Sequence, residues 1–149
     1  MLDTMRHIDE IIIHCTATKP MWWYNNTAQQ KVDEVRRWHT KERGWSDIGY
    51  HVLIDRRGEV VSGRPLYRTG AHVVGHNTGT IGISLFGGFG ASADEKFSEH
   101  FTPEQDKALR ETIAELQKQF PAIKKISGHN DYARKGCPGF NVQEWLKEK

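Results

Sequence analysis

Hydrophobic and polar positions along the chain follow two periods. Ile11-Ile12-Ile13-His14-Cys15 is a short, apolar, β-branched run and reads as a buried strand. Ala28, Val32, Val35 and His39 then fall on one helical face. Thr27, with Gln30 three residues on, makes a capping box that starts this helix, and Gly44 ends it as a C-terminal cap does. Tyr50-His51-Val52-Leu53-Ile54-Asp55, Arg57-Gly58 and Glu59-Val60-Val61 read as a hairpin. From Gly63 to Gly79 no period holds, and Ile81 to Phe86 is again a strand. Thr102-Pro103 with Gln105 opens a second helix whose buried stripe is Leu109, Ile113, Leu116 and Phe120. A short strand near Lys125-Ile126 leads into a loop with Gly128-His129 and Gly136-Cys137-Pro138-Gly139, and a last helix begins near Asn141. Strands and helices interleave, so the expected class is α/β, a central mixed sheet flanked by about three helices.

Composition narrows this only a little. The 149 residues predict one domain over the whole chain. Apolar residues at 37% and charged residues at 27% suit a soluble globular protein. Lys plus Arg (21) against Asp plus Glu (19) leaves a net charge of +2, which gives no charge-based case for binding nucleic acid. Two cysteines, Cys15 and Cys137, exclude a disulfide-rich scaffold. No apolar run approaches the ~18 residues of a membrane span, so no membrane insertion is expected. The N-terminal MLDTMRHIDE lacks the apolar stretch of a secretory signal, so synthesis is expected to end in the cytoplasm.

Position singles out certain polar residues. His14 closes the first apolar strand, where an imidazole among isoleucines needs a partner. His129 follows the late strand, and Cys137 comes eight residues later in a turn-rich loop. Strand ends are where α/β sheets place their sites. Two imidazoles and a thiolate, with a fourth position left open, make a catalytic zinc site. The alternative is a core histidine, a loop histidine and a buried free cysteine, and no compact His/Cys motif decides between them. Cys15 points to the opposite strand face from His14 and reads as core. A Cys15–Cys137 disulfide fits poorly with a cytoplasmic product. Lys135 is a cation suited to a developing oxyanion, or an ordinary solvated lysine. Tyr50 offers a hydroxyl at a strand end, or packs. His72, His76 and Asn77 line a polar groove or solvate a surface loop. Trp22-Trp23-Tyr24 stack on a ligand or cover the flank of the core.

Ordered blocks across nearly the whole chain resemble one family. They are Ile13-His14-Cys15-Thr16-Ala17-Thr18-Lys19-Pro20, Trp45-Ser46-Asp47-Ile48-Gly49-Tyr50-His51, Gly70 through His72 and Asn77 to Ile81-Gly82-Ile83, and Gly128-His129 through Lys135-Gly136-Cys137-Pro138-Gly139. The resemblance is to the zinc-dependent N-acetylmuramoyl-L-alanine amidases of the type-2 amidase and peptidoglycan-recognition fold, nearest the small lysozyme-named endolysins of T7-like phages. It implies one Zn2+ held by His14, His129 and Cys137, with Tyr50 and Lys135 at the positions of the catalytic tyrosine and lysine. It also implies that His72 and Asn77 lie beside the substrate groove. Many relatives carry an aspartate as third ligand, and Cys137 puts this chain in the thiolate subgroup. The Met21–Asn26 loop looks longer than in the phage relatives.

The implied substrate is peptidoglycan, cut at the amide between N-acetylmuramic acid and the L-alanine of the stem peptide, with host lysis as the result. A monomer is expected, made in the host cytoplasm and reaching the periplasmic wall after holin-type permeabilisation of the membrane. Three rival readings remain open at this level. One is a recognition module that only binds, whose fold relatives typically lack the third ligand. Another is a regulator of a phage RNA polymerase, as some T7-type relatives are. The last is a cysteine hydrolase using Cys137 and His129.

Overall fold

A computed structural model describes residues 6–148. The apolar run at the start forms β1 (Glu10–Cys15), with every residue from Ile11 to Cys15 buried. It lies between two parallel neighbours, β4 (Thr80–Leu85) and β5 (Lys125–Gly128). The hairpin is real but shorter than its apolar pattern, with β2 (Val52–Ile54) antiparallel to β3 (Val60–Ser62). Its turn closes on Asp55, whose Oδ1 accepts the backbone N–H groups of Arg57 and Glu59. β2 also pairs in parallel with β4, so the mixed sheet runs β3-β2-β4-β1-β5. Tyr50 and His51 stand just before β2, because the His51 N–H turns aside to the Gly82 carbonyl.

Helices cover both faces. α1 (Ala28–Arg37) starts at the Thr27–Gln30 capping box and runs on into one π-helical turn, Trp38–Glu42. Gly44, with φ of +75°, then stops the chain in the left-handed region that glycine enters without strain. α3 (Pro103–Gln119) begins at the Thr102–Gln105 capping box, and α4 (Val142–Lys147) follows Asn141. A single turn, α2 (Phe97–His100), was not legible, since four residues are too few to display a helical period.

Strand alternation divides the core in two. Ile11, Ile13, Ile81 and Ile83 pack with Leu109, Ile113, Leu116 and Trp145 beneath α3 and α4. On the opposite face Leu53 and Phe86 pack with Val32 and Val35 of α1. Leu109 is completely buried, and truncating such a residue to Ala costs about 2–5 kcal/mol. Lys31 of α1 reaches through this second layer to Asp55, with Nζ 3.6 Å from Oδ2 and both side chains shut away from water. That ion pair ties α1 to the hairpin turn.

Candidate metal centre and its groove

The sheet brings His14 and His129 together because β1 and β5 are parallel neighbours that end at the same edge. His14 points to the face opposite Cys15, and His129 opens a 3-10 turn (His129–Asp131) directly after Gly128. The loop that follows returns Cys137 beneath both. One donor atom from each of His14, His129 and Cys137 lies within 4.8 Å of the others. Cys137 Sγ is 3.9 Å from Nδ1 of His14. Donor atoms around a tetrahedral zinc stand about 3.4–3.7 Å apart, given bonds of ~2.0–2.3 Å. Small side-chain adjustments therefore bring the three donors to one ion.

The chemistry of the donors fits the same ion. Burial, followed by the neighbouring His72 and His129 rings and Lys135, holds His14 well below its ordinary range. Burial and then Lys135 lower His129 as well. Both imidazoles are thus neutral, the form that ligates a metal. Cys137 Sγ accepts the backbone N–H of Cys15 at 3.1 Å, a contact suited to a thiolate. Without a cation the hydrogen bond with the Cys15 thiol, and then burial, push the Cys137 thiol well up. Both cysteines are free, and Cys15 itself sits in the core beneath α3, as strand alternation requires.

His129 and Cys137 line a groove of about 640 Å³, together with Tyr50, His72, Asn77 and Lys135, while His14 is buried. The Tyr50 ring stands 5.1 Å from that of His14, centroid to centroid. Burial is the main cause that raises its phenol above the usual tyrosine range, so it stays protonated. Lys135 is exposed on the rim, and among the described residues no carboxylate pairs with it. Asn77 Oδ1 accepts the backbone N–H groups of His72 and Val73, which folds the irregular 63–79 segment into a wall. His72 is buried, and its two ring nitrogens reach His14 Nε2 at 2.8 Å and Thr80 Oγ1 at 3.1 Å.

Several groove residues escaped the sequence. The π-helical turn delivers His39 to the lining, with Arg43 and Trp45 just beyond it; His39 carried only the signal of a buried helix position. Its Nδ1 accepts the Gly49 N–H at 2.9 Å. Tyr132 lines the other side, stacked on His76 at 4.0 Å between centroids while its hydroxyl donates to Glu10. By contrast, no residue of the Met21–Asn26 loop lines this groove. Trp22 covers the second core layer by packing on Trp38 and Phe86, and Trp23 and Tyr24 are exposed.

A family model described as N-acetylmuramoyl-L-alanine amidase matches residues 4–140. The chain belongs to that amidase family. An endolysin of Klebsiella phage KP32 is 40% identical over 139 residues, which is 93% of this chain and 85% of that protein. An endolysin of Escherichia phage T7 is 38% identical over 140 residues, 94% of this chain and 86% of the relative. Among solved structures, the N-acetylmuramoyl-L-alanine amidase LysC from Clostridium intestinale URNW superposes with a TM-score of 0.71 at 29% identity, covering 97% of this chain and 88% of LysC. The amidase is thus a peptidoglycan-cleaving enzyme of the phage endolysin kind, with the α/β fold of its family.

Proposed function

We propose that the amidase works as a mononuclear zinc enzyme, with His14, His129 and Cys137 as ligands and the groove holding the junction of glycan and stem peptide. The observation that carries this reading is the convergence of two neutral imidazoles and a thiol beside an unpaired lysine. An ion held by His14, His129 and Cys137 would supply Lewis acidity for the scissile carbonyl and for an attacking water. Lys135 places its ammonium where negative charge develops on the carbonyl oxygen. Tyr50, protonated, donates a hydrogen bond that orients the reacting groups. Asn77, whose Oδ1 is taken by the wall, offers substrate its amide N–H2. His72 borders the same space.

We also infer that the amidase reaches the wall from the cytoplasm through a holin-type lesion made by another protein; no helix among the described residues is long and apolar enough to cross a membrane. Action as a monomer and contact with a phage RNA polymerase complete the reading; sedimentation and co-purification test them. The central test is digestion of purified Gram-negative sacculi followed by mass spectrometry, with chelator and then with zinc restored. Stem peptides beginning with L-Ala, lost with chelator and regained with zinc, are expected. Release that persists in chelator would overturn the zinc assignment and favour a cysteine nucleophile.

A further inference from the structure

Thr80 lies two hydrogen bonds away from Nε2 of His14, the ring nitrogen opposite the one that faces Cys137. Its Oγ1 is 2.9 Å from the His76 carbonyl, 3.0 Å from the Asn77 carbonyl and 3.1 Å from His72 Nε2. A hydroxyl has one proton, and carbonyl oxygens only accept. The Thr80 proton therefore goes to the loop carbonyls, and its oxygen accepts from His72 Nε2–H. His72 is buried with no carboxylate at either ring nitrogen, so its ring is neutral and Nδ1 carries the lone pair. That lone pair requires a donor at 2.8 Å, which is His14 Nε2–H. The Nδ1 of His14 is then the unprotonated nitrogen, and it is the atom that faces Cys137.

The backbone is shaped around the intervening ring. A Cβ on Gly82, in the middle of buried β4, would stand 2.7 Å from Cγ and 2.8 Å from Cδ2 of His72. A Cβ on Gly70 would stand 2.7 Å from the same Cδ2. A glycine inside a central strand sacrifices packing, and close approach of another group is what accounts for it here.

We propose that Thr80 is a positioning residue of the metal centre, which through His72 sets the tautomer of His14 and turns its Nδ1 lone pair to the zinc. The inference rests on the zinc reading above. Partners of this kind hold a ligating imidazole in one tautomer and one orientation, and their loss typically weakens metal binding by about 10–100-fold. Nothing in the mechanism requires Thr80 or His72 to touch substrate for this purpose.

Zinc affinity is measured by competition with a chromophoric chelator for the wild type, Thr80→Val, Thr80→Ser and His14→Ala. The expected result is a loss of about 10–100-fold for Thr80→Val, near wild-type affinity for Thr80→Ser, and no specific site in His14→Ala. A Thr80→Val protein that binds zinc as tightly as the wild type would overturn the proposal while leaving the zinc site standing. A wild type that binds no zinc would overturn both. Long-range 1H–15N spectra of the metal-free wild type need no variant: His14 and His72 are both expected as Nε2–H tautomers. A resident Nδ1–H on His14 would equally refute the relay.

Discussion

His14 and Cys137 stand 123 positions apart in the chain, and Nδ1 of the one lies 3.9 Å from Sγ of the other. The approach is made by the sheet: β1 carries His14 to its end, and the loop after β5 folds Cys137 back under it. Removing the thiol should therefore remove the metal and spare the fold, since Cys137 is only partly buried against the core and its Sγ accepts the Cys15 N–H of β1. Cys137→Ala is expected to lose stoichiometric zinc by elemental analysis while its circular dichroism stays native. Full zinc occupancy in this variant would show that the ligand set is wrong.

Lys135 is exposed and carries its charge at the rim of the groove. Lys135→Ala should lower kcat by roughly 10²–10³, the size of effect seen when one donor to a developing oxyanion is deleted. Zinc content and thermal stability should be unchanged. A loss confined to KM would mean that the ammonium binds the ground state and does not favour the transition state.

The buried Lys31–Asp55 pair predicts a stability effect far from the groove. Asp55 is 1% exposed, and Lys31→Ala takes away the cation beside its buried side chain. Breaking a buried pair this way costs about 3–5 kcal/mol, read as a fall in the urea midpoint. The loss should reach the whole domain, because α1 and the hairpin turn come apart together. A shift under ~1 kcal/mol would mean that water or another cation replaces Lys31.

Acid should destabilise the metal-free protein through histidines outside the metal triad. Burial is the main cause that pushes His39 and His51 each down to about 4. Nδ1 of each accepts a backbone N–H, from Gly49 and Gly82 respectively, and a proton there would abolish the acceptor. In the unfolded chain both titrate near ~6.5. Their contribution is therefore complete above ~6.5 and drains away as the pH falls from there toward 4, at about 1.4 kcal/mol per pH unit for each ring. Urea melts in chelator at pH 7 and pH 5 measure it, and coincident midpoints would contradict these burial-driven shifts.

How far the chain alone specifies this enzyme depends on the range of the interaction. The β1 run, the two Thr–Gln capping boxes, the Gly44 stop and the α3 stripe are local patterns of period or capping, and all are legible in the sequence. The ordered blocks around His14, Tyr50, His129 and Cys137 were enough to indicate the family, because each block keeps its own chemistry in a short stretch. Other features depend on which distant segments meet. Sequence pattern extended the hairpin back to Tyr50, since it cannot show that the His51 N–H bonds to Gly82. His72 lines the groove, as its place in the irregular segment suggests, but only the fold shows that both its ring nitrogens are committed, to His14 and to Thr80. His39, Arg43 and Tyr132 entered the groove only when a π-helical turn and a returning loop had been placed. Hydrogen bonds and ion pairs between residues tens of positions apart leave no period in the chain; they exist only once the parallel sheet has set its strands side by side.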